Sequence, residues 1–165
     1  PKDFYGLAKN LIARKARYDD KNIYNLRLFG CFGHNEPDHR LIKTAIRSII
    51  NSDSITIHDD IYMDYFYVRD VSTVVDHYIN NDNVPRDINL VYEEKKKLSD
   101  MIEILFKESG KSTKVIVEQK SKNCYNGDAE KINKLKLKLI GLNRGIKEVY
   151  EQEVRRNSEH IFRIY

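Results

Sequence analysis

Apolar residues recur along the chain with two different periods, and the switches between them mark out helices and strands. Leu7, Leu11, Ile12 and Ala16 fall at helical spacing between Phe4 and about Tyr18, with Asp3 placed to cap the run. Asp19-Asp20-Lys21-Asn22 ends it, and Ile23 to Phe29 reads as a short strand. Gly30 to Pro37 carries two glycines and reads as a loop where backbone can approach a ligand closely. A second helix is predicted from Asp38 or His39 to Ile50, with Leu41, Ile42, Ala45, Ile46 and Ile49 inward.

Ser54 to His58 and Ile61 to Val68 read as strands around Asp59-Asp60, and Val71 to Ile79 as a helix that Asp70 would cap. Of the aromatic run Tyr62, Tyr65, Phe66 and Tyr67, core packing is the expected role. Asp87 to Val91 reads as a strand, and Lys97 to Glu108 as an amphipathic helix ending near Gly110. Val115-Ile116-Val117 is a further strand, followed by a polar loop to Gly127. Asp128 is expected to cap a helix burying Ile132, Leu135 and Leu139. Gly141 to Gly145 reads as a turn, and Ile146 as the start of a last long helix. Helices alternating with short strands predict an α/β fold.

Composition narrows the class. Apolar residues are 41% and charged residues 33% of the 165, as in folded soluble domains. No apolar run approaches the roughly 18 residues that span a membrane, and the two cysteines, Cys31 and Cys124, have no metal-ligand spacing. These features predict a cytoplasmic protein with no membrane partner. The net charge of +4 is scattered. Lys95-Lys96-Lys97 follows two glutamates, and Lys134 to Lys138 alternates with leucines, so no basic stripe interleaved with stacking aromatics points to nucleic acid.

The candidate chemistry stands at the head of the first helix. Tyr5 and Lys9 are four residues apart and share a helix face. An ammonium beside a phenol favours the phenolate, which makes a proton donor and acceptor usable near neutral pH. The same spacing arises on many helices as a packed ring beside a solvated amine, and spacing by itself leaves both readings open. His58, His77 and His160 show no metal spacing, and none is expected to bind metal.

Five blocks taken in order resemble one family. Tyr5-Gly6-Leu7-Ala8-Lys9 resembles the Tyr-x-x-x-Lys of extended short-chain dehydrogenases/reductases, in the nucleotide-sugar epimerase/dehydratase/reductase branch. Leu26 to Gly33 is similar to that family's Leu-Arg-x-x-Asn-x-Tyr-Gly segment, and Pro37 to Ile42 to the start of its substrate-domain helix. Met63 to Val71 resembles Arg-Asp-Phe-x-Tyr-Val-x-Asp-Val. Asn126 to Leu135 with Gly141 to Tyr150 resembles its C-terminal segment. Reductases like GDP-fucose synthase are the nearest branch.

The resemblance covers about residues 1 to 150 and implies the C-terminal part of a Rossmann-fold enzyme, mainly its smaller α/β substrate-binding domain. Residues 1–30 would end the Rossmann domain, and 31–165 would be mainly the nucleotide-sugar-binding domain. The cofactor-binding half would precede residue 1, in about 130 to 150 further residues. Implied roles are Tyr5 as acid/base with Lys9 in support, Tyr5, Lys9 and Phe29 at NAD or NADP, and Gly30, His39 and Arg40 at a nucleotide-sugar substrate. A homodimer is implied too. The chain departs from the pattern at Gly30, where an Asn is usual, at Met63, where an Arg is common, and at His34, in place of a Pro. A non-catalytic sugar-nucleotide-binding or assembly module of the same descent is the alternative.

Overall fold

The computed structural model describes residues 3–19, 23–120 and 123–162, with the side chains of 159–162 left aside. In chain order its elements are α1 (Phe4–Tyr18), β1 (Asn25–Leu28), β2 (Gly30–Phe32), α2 (Leu41–Asn51), β3 (Ile55–Asp59), β4 (Tyr62–Met63) and β5 (Tyr65–Tyr67). There follow α3 (Val68–Ile79), β6 (Asp87–Leu90), α4 (Leu98–Ser109), β7 (Val115–Gln119), β8 (Cys124–Tyr125), α5 (Glu130–Lys134) and α6 (Leu142–Phe162). The strands form four parallel pairs, β1–β6, β2–β5, β3–β7 and β4–β8. The α/β expectation holds.

Parallel strands bury both faces, and β5 shows what that achieves. Tyr65, Phe66 and Tyr67 are all buried, and their side chains alternate between two cores. Tyr65 and Tyr67 enter a core with Phe32, the α2 residues Ile42, Ala45, Ile46 and Ile49, and Met101, Ile102 and Leu105 from α4. Phe66 enters the other, with Val74, Tyr78, Ile88 and Leu90. Strand β5 is the wall between them.

Several expectations shift. The start of the glycine loop is strand β2, because Gly30, Cys31 and Phe32 pair with Tyr65, Phe66 and Tyr67. Helix α2 begins at Leu41, after a turn closed by the Arg40 amide donating to the Pro37 carbonyl at 3.0 Å. Tyr62 is 43% exposed, outside the core expected for it. The polar loop before Gly127 contains β8. Helix α5 ends at Lys134, so Leu135 and Leu139 pack beyond it; Ala129 holds the N-cap position, and the Asp128 carboxylate before it accepts the Glu130 amide at 2.9 Å, the capping bond expected of it. The helix break at Asp20, Lys21 and Asn22 lies outside the described residues.

Two shifts have physical causes that position the molecule. Helix α3 starts at Val68, so Asp70 stands in its first turn and is no cap. Fully buried, Asp70 accepts the Ile140 amide at 2.7 Å, the Gly141 amide at 2.9 Å and the Tyr92 hydroxyl at 2.5 Å. It thereby fixes the start of α6 against α3. Helix α6 begins at Leu142 and carries Gly145 in its interior. A Cβ there would meet Tyr67 Cγ at 2.8 Å and Phe32 Cζ at 3.0 Å, so glycine lets α6 lie directly on the β2–β5 pair.

Candidate functional site

Helix α1 presents the candidate pair. The Asp3 carboxylate accepts the Gly6 amide at 2.6 Å and starts the helix where the pattern expects. Tyr5 is 73% exposed, and Lys9 Nζ stands 5.4 Å from the centroid of its ring, within cation–π range. Gly6 and Ala8 between them leave that face open. Phe4, Leu7, Leu11 and Ile12 are exposed as well, and Ala16 is the one buried residue of the helix. Near its other end, Arg17 donates to Asp87 at 2.5 Å and Arg86 to the Asp19 carbonyl at 2.7 Å.

A second group gathers where β1 hands over to β2. Phe29 packs edge-on against Tyr125, with ring centroids 5.1 Å apart, and against Gly127, where a Cβ would lie 2.6 Å from Phe29 Cε2. Gly30 is buried, and a Cβ on it would meet the Asp64 carbonyl oxygen at 2.9 Å and Met63 Cε at 3.3 Å. The backbone therefore has no room for the usual Asn, and Gly30 can offer a ligand only its main chain. Asp64 lies under this junction, 5% exposed. It takes Lys95 Nζ on both oxygens at 3.0 Å and the Gly127 amide at 2.7 Å. Sequence reasoning gave Asp64 no role; its partners lie 31 and 63 residues away.

The third group is the turn between β2 and α2. Gly33 is buried against Val68, where a Cβ would lie 2.5 Å from Cγ1. His39 is exposed, and Arg40 is half-buried at the N-cap of α2 with no side-chain capping bond. Arg40 is electrostatically coupled to Glu36, Cys31 and Tyr65. Burial pushes the Cys31 thiol up, Glu36 adds to that and Arg40 opposes it. Burial also raises the Tyr65 phenol. Glu36 itself escaped the sequence reading, since an acid four residues before an Arg in a polar turn looks like ordinary surface.

The structure thus brings Tyr5 to Lys9, Phe29 to Gly30 and Arg40 to Glu36. Among the described residues, no hydrogen bond or ion pair ties Tyr5 or Lys9 to Phe29, Gly30, His39 or Arg40. No cluster of three or more His, Cys, Asp or Glu side chains suited to a metal occurs among the described residues. Among the described residues no helix is long and apolar enough to cross a membrane.

Comparison with known proteins gives these groups a context. The NAD dependent epimerase/dehydratase family matches over residues 1–90. A search of curated proteins finds no match. Among solved structures, dTDP-glucose 4,6-dehydratase from Bacillus anthracis superposes with a TM-score of 0.76 at 16% identity, over 96% of this chain and 54% of that one. UDP-N-acetylglucosamine 4-epimerase from Bacillus cereus gives 0.72 at 16% identity, over 92% and 56%. RMD from Pseudomonas aeruginosa, complexed with NADPH, gives 0.70 at 17%, over 93% and 58%. The chain spans little more than half the length of these structures, and they share its fold.

Proposed function

This chain belongs to the NAD dependent epimerase/dehydratase family, and from that premise we propose that it supplies the acid/base pair and substrate lobe of an enzyme acting on nucleotide-activated sugars. The observation that carries the reading is the open face of α1, where the exposed Tyr5 and Lys9 stand side by side. Residues 1–30 would close the Rossmann domain and 31–165 would mainly hold the sugar nucleotide.

NAD or NADP, when bound, supplies the nicotinamide that accepts or returns hydride. A dinucleotide cradle of glycines is not among the described residues, so this chain's share of cofactor binding would be Tyr5, Lys9 and Phe29. A phenol and an ammonium on an open face suit ribose hydroxyls as donors. Tyr5 Oη would take the proton of a sugar hydroxyl as the carbon beneath is oxidised, and give it back on reduction. Lys9 would hold the phenolate form and keep the ring oriented. Arg40 would pair with the diphosphate, whose geometry suits a guanidinium, while the Gly30 main chain and His39 would meet the sugar.

We assign the protein to the cytoplasm, in keeping with the free thiols Cys31 and Cys124. The apolar residues exposed on α1 would be covered by the cofactor-binding half and a second copy in a homodimer. The test is turnover by the longer protein containing this chain, on a panel of nucleoside-diphosphate sugars with each cofactor, read by nicotinamide absorbance and product analysis. No turnover on any of them, with binding retained, would favour the second reading, a binding module without chemistry. Gly30 and Met63 speak for that reading, because neither can give the polar side-chain contact usual at its position.

A further inference from the structure

Where α2 packs against α6 a buried ammonium is paired with one carboxylate, and a second carboxylate, Glu36, lies near enough to feel the charge of both. Lys43, 3% exposed, donates to Glu153 Oε1 at 2.5 Å, and Arg156 reaches the same oxygen at 3.4 Å. Glu36 sits in the turn ahead of α2, its amide donating to the Gly33 carbonyl at 3.1 Å. Both of its carboxylate oxygens are shut off from solvent and accept no hydrogen bond of normal geometry. A carboxylate shut off from solvent and short of well-placed donors is strongly disfavoured in its charged form, and a proton relieves it. The groups around it are Arg40 at the N-cap of α2, Lys43 within α2, Glu153 from α6, Cys31 from β2 and Tyr65 from β5.

We propose that Glu36 is a proton-operated latch on the β2–α2 turn, opposing Glu153 across the buried Lys43. Protonated, Glu36 stays tucked beneath the turn and leaves Lys43 to Glu153. Ionised, it competes with Glu153 for the Lys43 ammonium and draws on Arg40, and the α2–α6 seam loosens. Burial pushes the Glu36 carboxyl up to about 7, the charges of Arg40 and Lys43 and the Lys43 amide pull it back, and Glu153 pushes it further up. The folded-state value lies above the ordinary 4.5, so the stabilisation is complete below that ordinary value and is lost as pH rises through about 7. The latch would open in the neutral range.

The test is a ¹³C-carboxyl NMR titration of the longer protein, with the Glu36 signal identified by Glu36→Gln. The expected midpoint is near 7, and a midpoint in the ordinary range near 4.5 overturns the latch. Glu153→Gln, which removes a negative charge and frees Lys43, should lower the midpoint, and Lys43→Met should raise it. No movement in either variant overturns the competition. Should either variant fail to fold, amide exchange in the unaltered protein decides the matter. Corrected for intrinsic rates, protection of the α2 amides should fall several-fold from about pH 5 to about pH 8 and hold steady in Glu36→Gln. Protection independent of pH overturns the proposal.

Discussion

Helices α1 and α2 come from the same stretch of chain and do opposite things. Over fifteen residues α1 buries only Ala16, whereas the eleven residues of α2 bury Ile42, Lys43, Ala45, Ile46 and Ile49. Helix α2 is held by the larger core. Helix α1 is held by its own cap, by Ala16, and by the tethers at Arg17 and Asp19. The proposed chemistry therefore stands on the helix that contributes least to this chain's packing. Tyr5 and Lys9 are exposed, and among the described residues no hydrogen bond or ion pair to another element claims their side chains.

Substitution at Tyr5 gives that contrast its largest expected effect. Tyr5→Phe in the longer protein should cut turnover by about 10²–10⁴-fold, the usual reach of general acid–base catalysis, with the folded state unchanged. Cofactor binding, followed by fluorescence, should be largely spared. Turnover within a few-fold of the unaltered protein would refute the acid/base role.

The opposite pattern is expected in the core. Leu105→Ala removes a fully buried side chain beside Ile42, Ile46 and Tyr65 and should cost about 2–5 kcal/mol in urea unfolding. On the 165-residue chain, Leu11→Ala, on the exposed face of α1, should stay within about 0.5 kcal/mol. Comparable losses at both sites would mean that α1 is packed after all.

Much of this division was legible in the sequence, and where it was not the missing information was non-local. Helix α1 is read to its end residues because its determinants, the Asp3 cap and the spacing of Leu7, Leu11 and Ala16, are all local. Helix α4 is read to within a residue or two for the same reason, with Gly110 at φ +65° as its C-cap. Strand β2 was missed because Gly30 and Gly33 signal a loop, while the strand is defined by pairing with Tyr65 to Tyr67. Asp70 reads as a cap until the amides of Ile140 and Gly141, about seventy residues on, are seen to reach it. The Tyr5–Lys9 pair was visible from spacing and the family resemblance. Glu36 was not, since the groups that act on it or answer to it, Cys31, Lys43, Tyr65 and Glu153, come from four separate elements.

Gly145 sharpens the contrast at intermediate size. Gly145→Ala would push a methyl group into Tyr67 and Phe32 and should cost about 1–3 kcal/mol by overpacking, even though alanine is the better helix former. Gly110→Ala meets no atom within 4 Å and should cost only about 1–2 kcal/mol, from the left-handed backbone. A stabilised Gly145→Ala protein would show that α6 does not lie on the β2–β5 pair.

The smallest effect belongs to the tether of α1. Burial pushes the Asp87 carboxyl up, and the hydrogen bonds from Asn25 and Arg17, with the charges of Arg17 and Arg27, more than reverse that, leaving it below the usual carboxylate range. A depressed folded-state value gives stability that is present above the ordinary 3.8 and lost as pH falls through the folded value. Arg17 is 54% exposed, so Arg17→Ala should cost no more than about 1 kcal/mol at neutral pH. The difference between the two proteins should shrink in high salt and vanish in acid, once Asp87 is protonated. Thermal melts at low and high salt, from neutral pH to well below the ordinary 3.8, measure it. A difference that survives acid would trace to lost packing of the Arg17 stem, and α1 would then be held by contact rather than charge.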